Sequence, residues 1–259
     1  MNSVVTLSGR PMKLRTMGSG SPLLCLNGLT QTTANWTSSA RLLAGFGHQV
    51  LLTDLPGQGG SEPLPDGNPK AQAELVFEFL DVLGIDKIDV CGFSFGGRVA
   101  LQMAALRPDR IPRLILTSTS LGAGTVARLV VMGWLRALDR GGLEALGWDA
   151  LPWIIGDGLL NGIDPEQMVH ATVRRNSAAG IRSLIQGILD DKAPALESIA
   201  MPTLVLAGGD DRFALADEQR ANAERLPQGR FHRFAGLGHA LPVEDAKGFS
   251  EVVSAFLRA

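Results

Sequence analysis

The stretch VCGFSFGG, residues 90–97, decides how the rest of the chain is interpreted. It carries the pattern Gly-x-Ser-x-Gly around Ser94, with an apolar run before it and a helix-forming run, residues 98–106, after it. That context is typical of a nucleophile elbow, in which a serine lies on a strained turn between a strand and a helix. Gly92 and Gly96 fit because a side chain at either position would collide with the neighbouring strand or helix. A plain glycine-rich turn with a serine N-cap would give the same letters, so the interpretation depends on finding partners for Ser94.

Length and composition favour one large α/β domain and exclude several other classes. The chain has 259 residues, is 45% hydrophobic and carries a net charge of -2, which is enough apolar sequence for a sizeable core. Without a basic run, no nucleic-acid partner is expected. The sequence has neither a basic leader nor an apolar run long enough to cross a bilayer, so we expect a cytoplasmic protein with no membrane span.

The two cysteines, Cys25 and Cys91, both lie in apolar, strand-like runs. We therefore expect two buried, reduced thiols that could be neighbours in space, rather than a disulfide framework. No spacing of cysteine and histidine indicates a zinc site, and no motif indicates a cofactor. The sequence predicts that neither a metal nor a cofactor is needed.

Short apolar runs alternate with helical patterns along most of the chain. Such alternation predicts an α/β fold with a mostly parallel sheet and helices on both faces, preceded here by an antiparallel hairpin with its turn at residues 8–11. In such sheets the active site lies at the carboxyl ends of the strands. The predicted strands are residues 3–8, 12–17, 23–26, 49–53, 88–91, 114–116, 203–207 and 231–234. The predicted flanking helices are residues 36–44, 71–83, 98–106, 217–226 and 244–257.

The alternation stops in the middle of the chain, where four helices follow one another. We predict that residues 1–121 and 199–259 form the α/β core, and that residues 122–198 form a helical cap inserted into it. The cap is rich in Trp, Met and Leu, which would suit an acyl or aromatic substrate but would equally suit packing within the cap. Its predicted helices are residues 126–139, 143–151, 165–175 and 178–189.

A serine hydroxyl needs a general base, and the chain offers four histidines. His48 begins a predicted strand, His170 lies in the predicted cap, and His232 lies within the last predicted strand. Only His239 lies in a glycine-rich loop at the edge of the sheet where Ser94 is expected. His239 is therefore the predicted base, although a loop histidine with a purely local hydrogen bond is the plain alternative.

The acid that orients the histidine is expected after a late strand, in the chain order serine, acid, histidine. The loop after residues 203–207 contains Asp210 and Asp211, whereas the loop after the strand that ends at Thr117 contains no acid. From position alone, either aspartate could orient His239, and a solvated Asp-Asp turn is the alternative.

Nucleophilic acyl transfer also needs two donors for the tetrahedral oxyanion. The backbone amide of Phe95, at the start of the helix after Ser94, is one candidate. The amide of Leu29, which follows Asn27 and Gly28 at another strand end, is the second. Gly28 is expected to let the backbone approach the substrate closely.

Taken together, these residues resemble the α/β-hydrolase superfamily over essentially the whole chain. Residues 54–61, with the pattern Asp-x-x-Gly-x-Gly-x-Ser, look like the loop after the family's fourth strand, and Gly238-His239 matches its histidine loop. The spacing Gly208-x-x-Asp211 matches the family's triad acid, so the resemblance implies Asp211 rather than Asp210. It also implies eight strands and a helical cap after the sixth.

One pair of residues departs from the common family pattern. Asn27-Gly28 stands where many members carry His-Gly, which leaves the Leu29 amide available. Together with residues 32–36 and the aromatic and two glycines after Ser94, this pair is similar to the 3-hydroxyacyl-carrier-protein acyltransferases of rhamnolipid and polyhydroxyalkanoate synthesis.

The predicted function is a serine hydrolase that cleaves a carboxylic ester or thioester of a small apolar acyl substrate through an acyl-enzyme on Ser94. Haloalkane dehalogenases and epoxide hydrolases resemble the fold but need a carboxylate nucleophile, which Ser94 is not. Two alternatives remain: a transferase with the same triad, in which an alcohol or thiol displaces water, and a ligand receptor that keeps an unused triad. Nothing in the sequence specifies the oligomeric state.

Overall fold

A computed structural model describes residues 2–7, 10–121 and 125–259. Within these residues, eight strands form one sheet in the order β1-β2-β4-β3-β5-β6-β7-β8. The first two strands pair antiparallel with their neighbours and all other pairs are parallel, which confirms the predicted sheet. The strands are β1 (Asn2–Leu7), β2 (Arg10–Met17), β3 (Ser21–Leu26), β4 (His48–Thr53), β5 (Asp89–Phe93), β6 (Leu114–Thr117), β7 (Thr203–Gly208) and β8 (Gly229–Phe234).

Helices flank the sheet, and a run of four helices separates β6 from β7. The flanking helices are α1 (Thr37–Gly45), α2 (Pro69–Val82) and α3 (Phe95–Leu106), followed after β7 by α8 (Ala216–Arg225), α9 (Leu241–Glu244) and α10 (Ala246–Arg258). The intervening helices are α4 (Thr125–Ile154), α5 (Asp157–Leu160), α6 (Pro165–Arg175) and α7 (Ala178–Asp190). Among the described residues, none of the helices combines the length and apolar character needed to span a bilayer.

The sheet is apolar on both faces, as expected for parallel strands covered by helices on each side. Leu24 and Leu26 of β3 contribute to the core on one face, whereas Leu23 and Cys25 contribute to the core on the other. Cys25 lies directly opposite Cys91 on β5, and both thiols are free and buried, as the sequence predicts. Burial, followed by the contact with Cys91, raises the pKa of the Cys25 thiol well above its usual value.

The helical segment is fastened to the core by a buried ion pair at its C-terminal end. Arg98 of α3 donates to Asp191, one residue beyond α7, at 2.9 Å, and Gln102 of α3 donates to the other carboxylate oxygen at 3.0 Å. Burial lowers the pKa of the Arg98 guanidinium, and the charge of Asp191 opposes that effect. Removing one partner would leave a buried charge uncompensated. The pair therefore holds the end of the helical segment against α3.

Several predicted boundaries differ from those observed. Arg10 and Pro11, predicted in the hairpin turn, already belong to β2, and residues 8–9 lie outside the described part of the chain. The first two predicted cap helices, in contrast, are both present in the run α4 and are separated, as predicted, where Gly141 and Gly142 leave helical backbone angles. The last helix was predicted to start at Glu244 but starts at Ala246, because Glu244 belongs to the separate short helix α9. Residues 122–124 of the predicted cap also lie outside the described residues.

The strand-to-helix junction at Ser94 is packed so closely that its glycines have no room for a side chain. A Cβ atom on Gly92 would overlap the backbone of Gly96, and a Cβ atom on Gly96 would overlap the backbone of Leu26 in β3. These contacts are with main chain, which cannot move aside as a flexible side chain can. The prediction that both glycines are required by neighbouring backbone is confirmed.

Replacing Gly92 with alanine should therefore destabilise the protein by about 3 kcal/mol, the upper end of the usual cost of overpacking. Gly133 in α4 is the matched control, because a Cβ atom there meets nothing within 4 Å. Gly133→Ala should be neutral or stabilising by up to about 1 kcal/mol through helix propensity. Chemical denaturation of both variants measures the difference, and equal stabilities would contradict the packing argument.

Candidate active site

Ser94, His239 and Asp211 form a hydrogen-bonded row at the carboxyl end of the sheet. The hydroxyl of Ser94 lies 2.9 Å from Nε2 of His239, and Nδ1 of His239 lies 2.8 Å from Oδ2 of Asp211. With the proton on Nδ1, His239 donates to Asp211 and accepts from Ser94. That tautomer is the one a general base needs.

The choice between the two adjacent aspartates is resolved by their positions. Asp211 is 4% exposed, and its Oδ1 accepts hydrogen bonds from the amides of Phe213 at 2.9 Å and Ala214 at 2.8 Å. Asp210 is exposed, and its backbone amide donates to the carbonyl of Leu237. The carboxylate of Asp211 is thus fixed by two amides on one oxygen and faces His239 with the other.

Ser94 lies between β5 and α3 with φ 52° and ψ -110°, a region that non-glycine residues rarely occupy. Its amide donates to the carbonyl of Thr117 at the end of β6, at 2.9 Å. This bond joins the turn to the neighbouring strand, and the strained backbone projects the hydroxyl away from the sheet towards His239.

Two aromatic rings enclose the imidazole of His239. The ring centroid of Phe93 lies 5.2 Å from that of His239, and the centroid of Phe213 lies 5.4 Å from it in an edge-on arrangement. His239 is only 2% exposed as a result. The rings restrict the imidazole to the plane in which it reaches both Ser94 and Asp211.

Glu244 holds the backbone on both sides of His239. Its carboxylate accepts from the amide of Gly238 at 2.8 Å and from the amide of Ala240 at 3.0 Å. It also accepts from the amide of Gly156, which follows α4, at 3.2 Å. One half-buried carboxylate therefore positions the histidine loop and joins the helical segment to it.

The two amides predicted to bind an oxyanion are available for a ligand. Within the part of the chain that the structure describes, neither the Leu29 nor the Phe95 amide donates a hydrogen bond. Leu29 and Ser94 line the same cavity. A Cβ atom on Gly28 would lie 2.6 Å from the Phe93 ring, so the absence of a side chain there also leaves room for Phe93.

The other histidines lie apart from Ser94. His48 is buried at the start of β4, with its Nε2 3.0 Å from the hydroxyl of Ser254. Burial lowers the pKa of His48, and the positive charges of Arg258 and Arg113 lower it further. His232 in β8 packs its ring against Phe234. Among the described residues, His239 is the histidine within hydrogen-bond distance of Ser94.

An apolar cavity of about 130 Å³ opens beside Ser94 and His239. Its walls come from the loop after β3, from α4 and α6 of the helical segment, and from the turn after His239. The apolar side chains that line it are Leu29, Phe93, Trp134, Leu146, Ala150, Leu151, Ile154, Ile155, Met168, Val169, Ala240 and Val243.

Comparison with known proteins agrees with this arrangement. A family model for the alpha/beta hydrolase fold matches residues 21–144. A poly(3-hydroxyalkanoate) depolymerase from Ectopseudomonas oleovorans is 32% identical over 215 aligned residues, which cover 81% of this chain and 75% of that protein. The chain belongs to the α/β-hydrolase superfamily. A 2-hydroxymuconate semialdehyde hydrolase from Pseudomonas putida is 28% identical and covers 98% of this chain and 92% of its own length.

Solved structures place this α/β hydrolase in the same fold. The enol-lactonase from Burkholderia xenovorans LB400 superposes with a TM-score of 0.90 at 23% identity, covering 99% of this chain and all of that chain. A thermophilic esterase from Thermogutta terrifontis gives a TM-score of 0.89, also at 23% identity, covering 100% of this chain and 98% of that chain. At these identities the likeness establishes the fold and says nothing of the substrate.

A second, more polar cavity of about 570 Å³ adjoins the first in this α/β hydrolase. The two share Thr30, Asn35, Met168 and Thr172 as lining residues, so they lie side by side. Charged and polar groups of α6 and its N-terminal approach, including Asp164 and Arg175, surround the outer space. The site thus combines an apolar inner end with a polar outer end.

The aromatic residues of the predicted cap have divided roles. Trp134 lines the inner cavity and stacks on Phe213 at 4.9 Å between centroids, whereas Trp148 is 43% exposed and lies outside both cavities. Trp153 packs against the core. Trp134 and Trp153 therefore both pack within the protein, and Trp134 also lines the cavity, whereas Trp148 does neither.

Three residues of the site were not identified from sequence: Gln58, Phe213 and Glu244. Gln58 lies in the loop at residues 54–61 that the sequence singles out, yet its hydrogen bonds to Asn27 and Gly28 span 31 and 30 positions of the sequence. Phe213 follows the aspartate pair directly, and Glu244 was predicted only to begin a helix. Among the described residues, no cluster of three histidine, cysteine, aspartate or glutamate side chains is arranged to hold a metal ion.

Asp211→Asn should reduce ester turnover by about 10⁴-fold, because an amide at this position favours the wrong tautomer of His239. Asp210→Asn is the matched control, since it makes the same chemical change on an exposed neighbour and should leave turnover close to that of the unmodified protein. Steady-state kinetics on both variants, with circular dichroism to verify folding, make the comparison. Equal losses in the two variants would contradict the assignment of Asp211.

Proposed function

We propose that this protein is a serine hydrolase that cleaves esters or thioesters of apolar acyl groups through an acyl-enzyme on Ser94. The observation that carries the proposal is the hydrogen-bonded row of Asp211, His239 and Ser94 at the mouth of an apolar cavity. The names of the relatives support hydrolysis in general, and the geometry suggests the acyl chemistry.

Acylation begins when the Ser94 hydroxyl attacks the carbonyl carbon and His239 Nε2 takes its proton. Asp211 stabilises the resulting imidazolium through Nδ1, and its own carboxylate remains ionised. The amides of Leu29 and Phe95 stabilise the negative charge on the tetrahedral oxygen. When the intermediate collapses, the leaving alcohol or thiol receives the proton from Nε2.

Deacylation repeats these steps with water as the nucleophile. His239 removes a proton from water, the hydroxide attacks the acyl carbon, and the second tetrahedral intermediate uses the same two amides. Its collapse releases the carboxylic acid and returns the proton to the Ser94 oxygen. An alcohol or thiol in place of water would give the transferase, and the outer cavity has room for such an acceptor.

The two cavities suggest how the substrate is divided. We assign the apolar acyl chain to the inner cavity, because burying each methylene there contributes about 0.8 kcal/mol. The leaving alcohol or thiol would extend into the polar outer cavity. Esters of 3-hydroxy acids are one class to test, since the relative from Ectopseudomonas oleovorans is named as a poly(3-hydroxyalkanoate) depolymerase.

Ser94→Ala should lower turnover of p-nitrophenyl acyl esters by about 10⁴-fold or more while leaving the fold intact. Ser118→Ala is the control, because Ser118 is also a serine with positive φ at a strand end but bonds neither His239 nor Asp211. The intact mass of the unmodified protein should show an acyl adduct that maps to Ser94. Turnover that survives in Ser94→Ala would refute the proposal.

The same series of esters and thioesters, run with and without an added alcohol, separates the candidate activities. A hydrolase gives mainly the free acid, and a transferase gives mainly the new ester. Absence of both adduct and turnover across the series would favour the receptor that keeps an unused triad.

Chain-length preference should respond to Ala150, which lines the inner cavity from α4. Ala150→Phe should shift the best substrate towards shorter acyl chains, because the ring occupies volume that the chain needs. Asp149→Phe adds the same ring to the exposed neighbour and should leave the profile unchanged. Values of kcat/KM across C2 to C12 esters measure the shift; identical profiles for the two variants would contradict the assignment of the acyl chain to this cavity.

A further inference from the structure

Gln58 is fully buried beneath the loop that carries the Leu29 amide. Its Nε2 donates to the carbonyl of Gly28 at 2.7 Å. Its Oε1 accepts from the amide of Leu55 at 3.1 Å and from Nδ2 of Asn27 at 3.2 Å. Both ends of the Gln58 side chain are therefore occupied, and its orientation is fixed from two sides.

The bond to Gly28 matters because of the geometry of the peptide group. The Gly28 carbonyl and the Leu29 N–H belong to one planar trans unit and point in opposite directions. A donor that fixes the carbonyl on one side therefore fixes the direction of the N–H on the other. The Leu29 amide makes no hydrogen bond of its own within the described residues, so its direction depends on what holds Gly28.

We infer that Gln58 is a positioning residue for the oxyanion hole, aiming the Leu29 amide at the tetrahedral oxygen through its bond to the Gly28 carbonyl. The inference rests on the proposed function, because an oxyanion forms only if Ser94 attacks a carbonyl. It extends that function to a residue that does not touch the substrate.

Asn27 connects Gln58 to the end of β4 and to the residue that follows it. Nδ2 of Asn27 donates to the carbonyl of Thr53 at 3.0 Å and to Oδ1 of Asp54 at 3.2 Å, in addition to Gln58. Oδ1 of Asp54 also accepts from the amide of Thr33 at 2.7 Å, on the far side of the same loop. Burial raises the pKa of Asp54, and the Thr33 amide is the strongest influence that opposes the rise. Gln58 at Gly28 and Asp54 at Thr33 are thus among the contacts that hold the loop after β3.

The Gly28 carbonyl has a second donor, the amide of Gln31 at 3.2 Å. Loss of Gln58 would therefore loosen the peptide without releasing it. Removing an oxyanion donor outright costs about 10²- to 10³-fold in kcat, so a loosened donor should cost less, about 10- to 100-fold.

The test compares Gln58→Met with Gln72→Met. Gln72 is a matched control because it is also fully buried and its Nε2 donates to a backbone carbonyl of the loop after β4, that of Pro56, at 2.9 Å. Each substitution removes one buried amide that bonds a carbonyl of main chain. Only Gln58 bonds the peptide unit whose N–H is assigned to the oxyanion.

Two measurements separate positioning from simple destabilisation. The first is the split between kcat and KM for a p-nitrophenyl ester, and the second is the affinity for an alkyl boronic acid. On binding, the Ser94 oxygen bonds to boron, its proton passes to His239, and boron becomes an anionic tetrahedral centre that mimics the intermediate. Gln58→Met should lower kcat and boronate affinity together by about 10- to 100-fold with KM nearly unchanged. Gln72→Met should change neither beyond about twofold.

Equal boronate affinity in Gln58→Met and the unmodified protein would overturn the inference, as would equal losses in both variants. Boronate binding requires Ser94 but no turnover, so failure of the proposed function would appear separately, as the absence of ester hydrolysis by the unmodified protein. If Gln58→Met does not fold, Gln58→Asn replaces it, because it keeps a buried amide that is one methylene too short to reach Gly28. The same losses are expected there, and unchanged boronate affinity would again overturn the inference.

Discussion

The backbone of Ser94 is the constraint on which the rest of the site depends. A non-glycine residue at positive φ costs about 1–3 kcal/mol, and it persists only where the surrounding packing allows nothing else. Here Gly92 and Gly96 bring β5, α3 and β3 into backbone contact, and the Ser94 amide is bonded to the end of β6. Ser118, at the end of that neighbouring strand, also has positive φ, at 47°. Backbone strain among the described non-glycine residues therefore occurs at the carboxyl ends of two central strands, β5 and β6. The side chains of the site project from this end of the sheet.

The groups around Ser94 lie on loops, and each loop is held by a side chain bonded to main chain. Asp211 accepts from the amides of the turn that follows it, and Glu244 accepts from the amides on both sides of His239. Gln58 does the same for the loop after β3. Loops hold a reactive geometry poorly unless a second layer of bonds supports them, and these three side chains supply that layer.

The sequence predicts the sheet and the row of reactive side chains because both rest on local patterns. Apolar runs give strands, and the glycines at Ser94 and His239 mark turns at strand ends. It does not separate Asp210 from Asp211 by position, because adjacent residues of the same chemistry differ only in which side of a turn they occupy, and resemblance was needed to prefer Asp211. Helical periodicity in the middle segment does not reveal which tryptophan lines the cavity, since that depends on how α4 lies across the sheet. The carbonyl of Gly28, to which Gln58 donates, is 30 residues away in the sequence, and no local pattern indicates that contact.

The contact between Gly156 and Gly238 bears on how such enzymes are inherited and recombined. A side chain on either glycine would overlap the backbone of the other or the carboxylate of Glu244, so the two stretches fit only as a matched pair. The ion pair between Arg98 and Asp191 is a second contact between the helical segment and the core, at the far end of that segment. If this segment were replaced by that of a related hydrolase, the contacting residues of the core would have to be replaced together with it. Exchange of the helices that line the cavity is thereby coupled to the loop that holds the histidine.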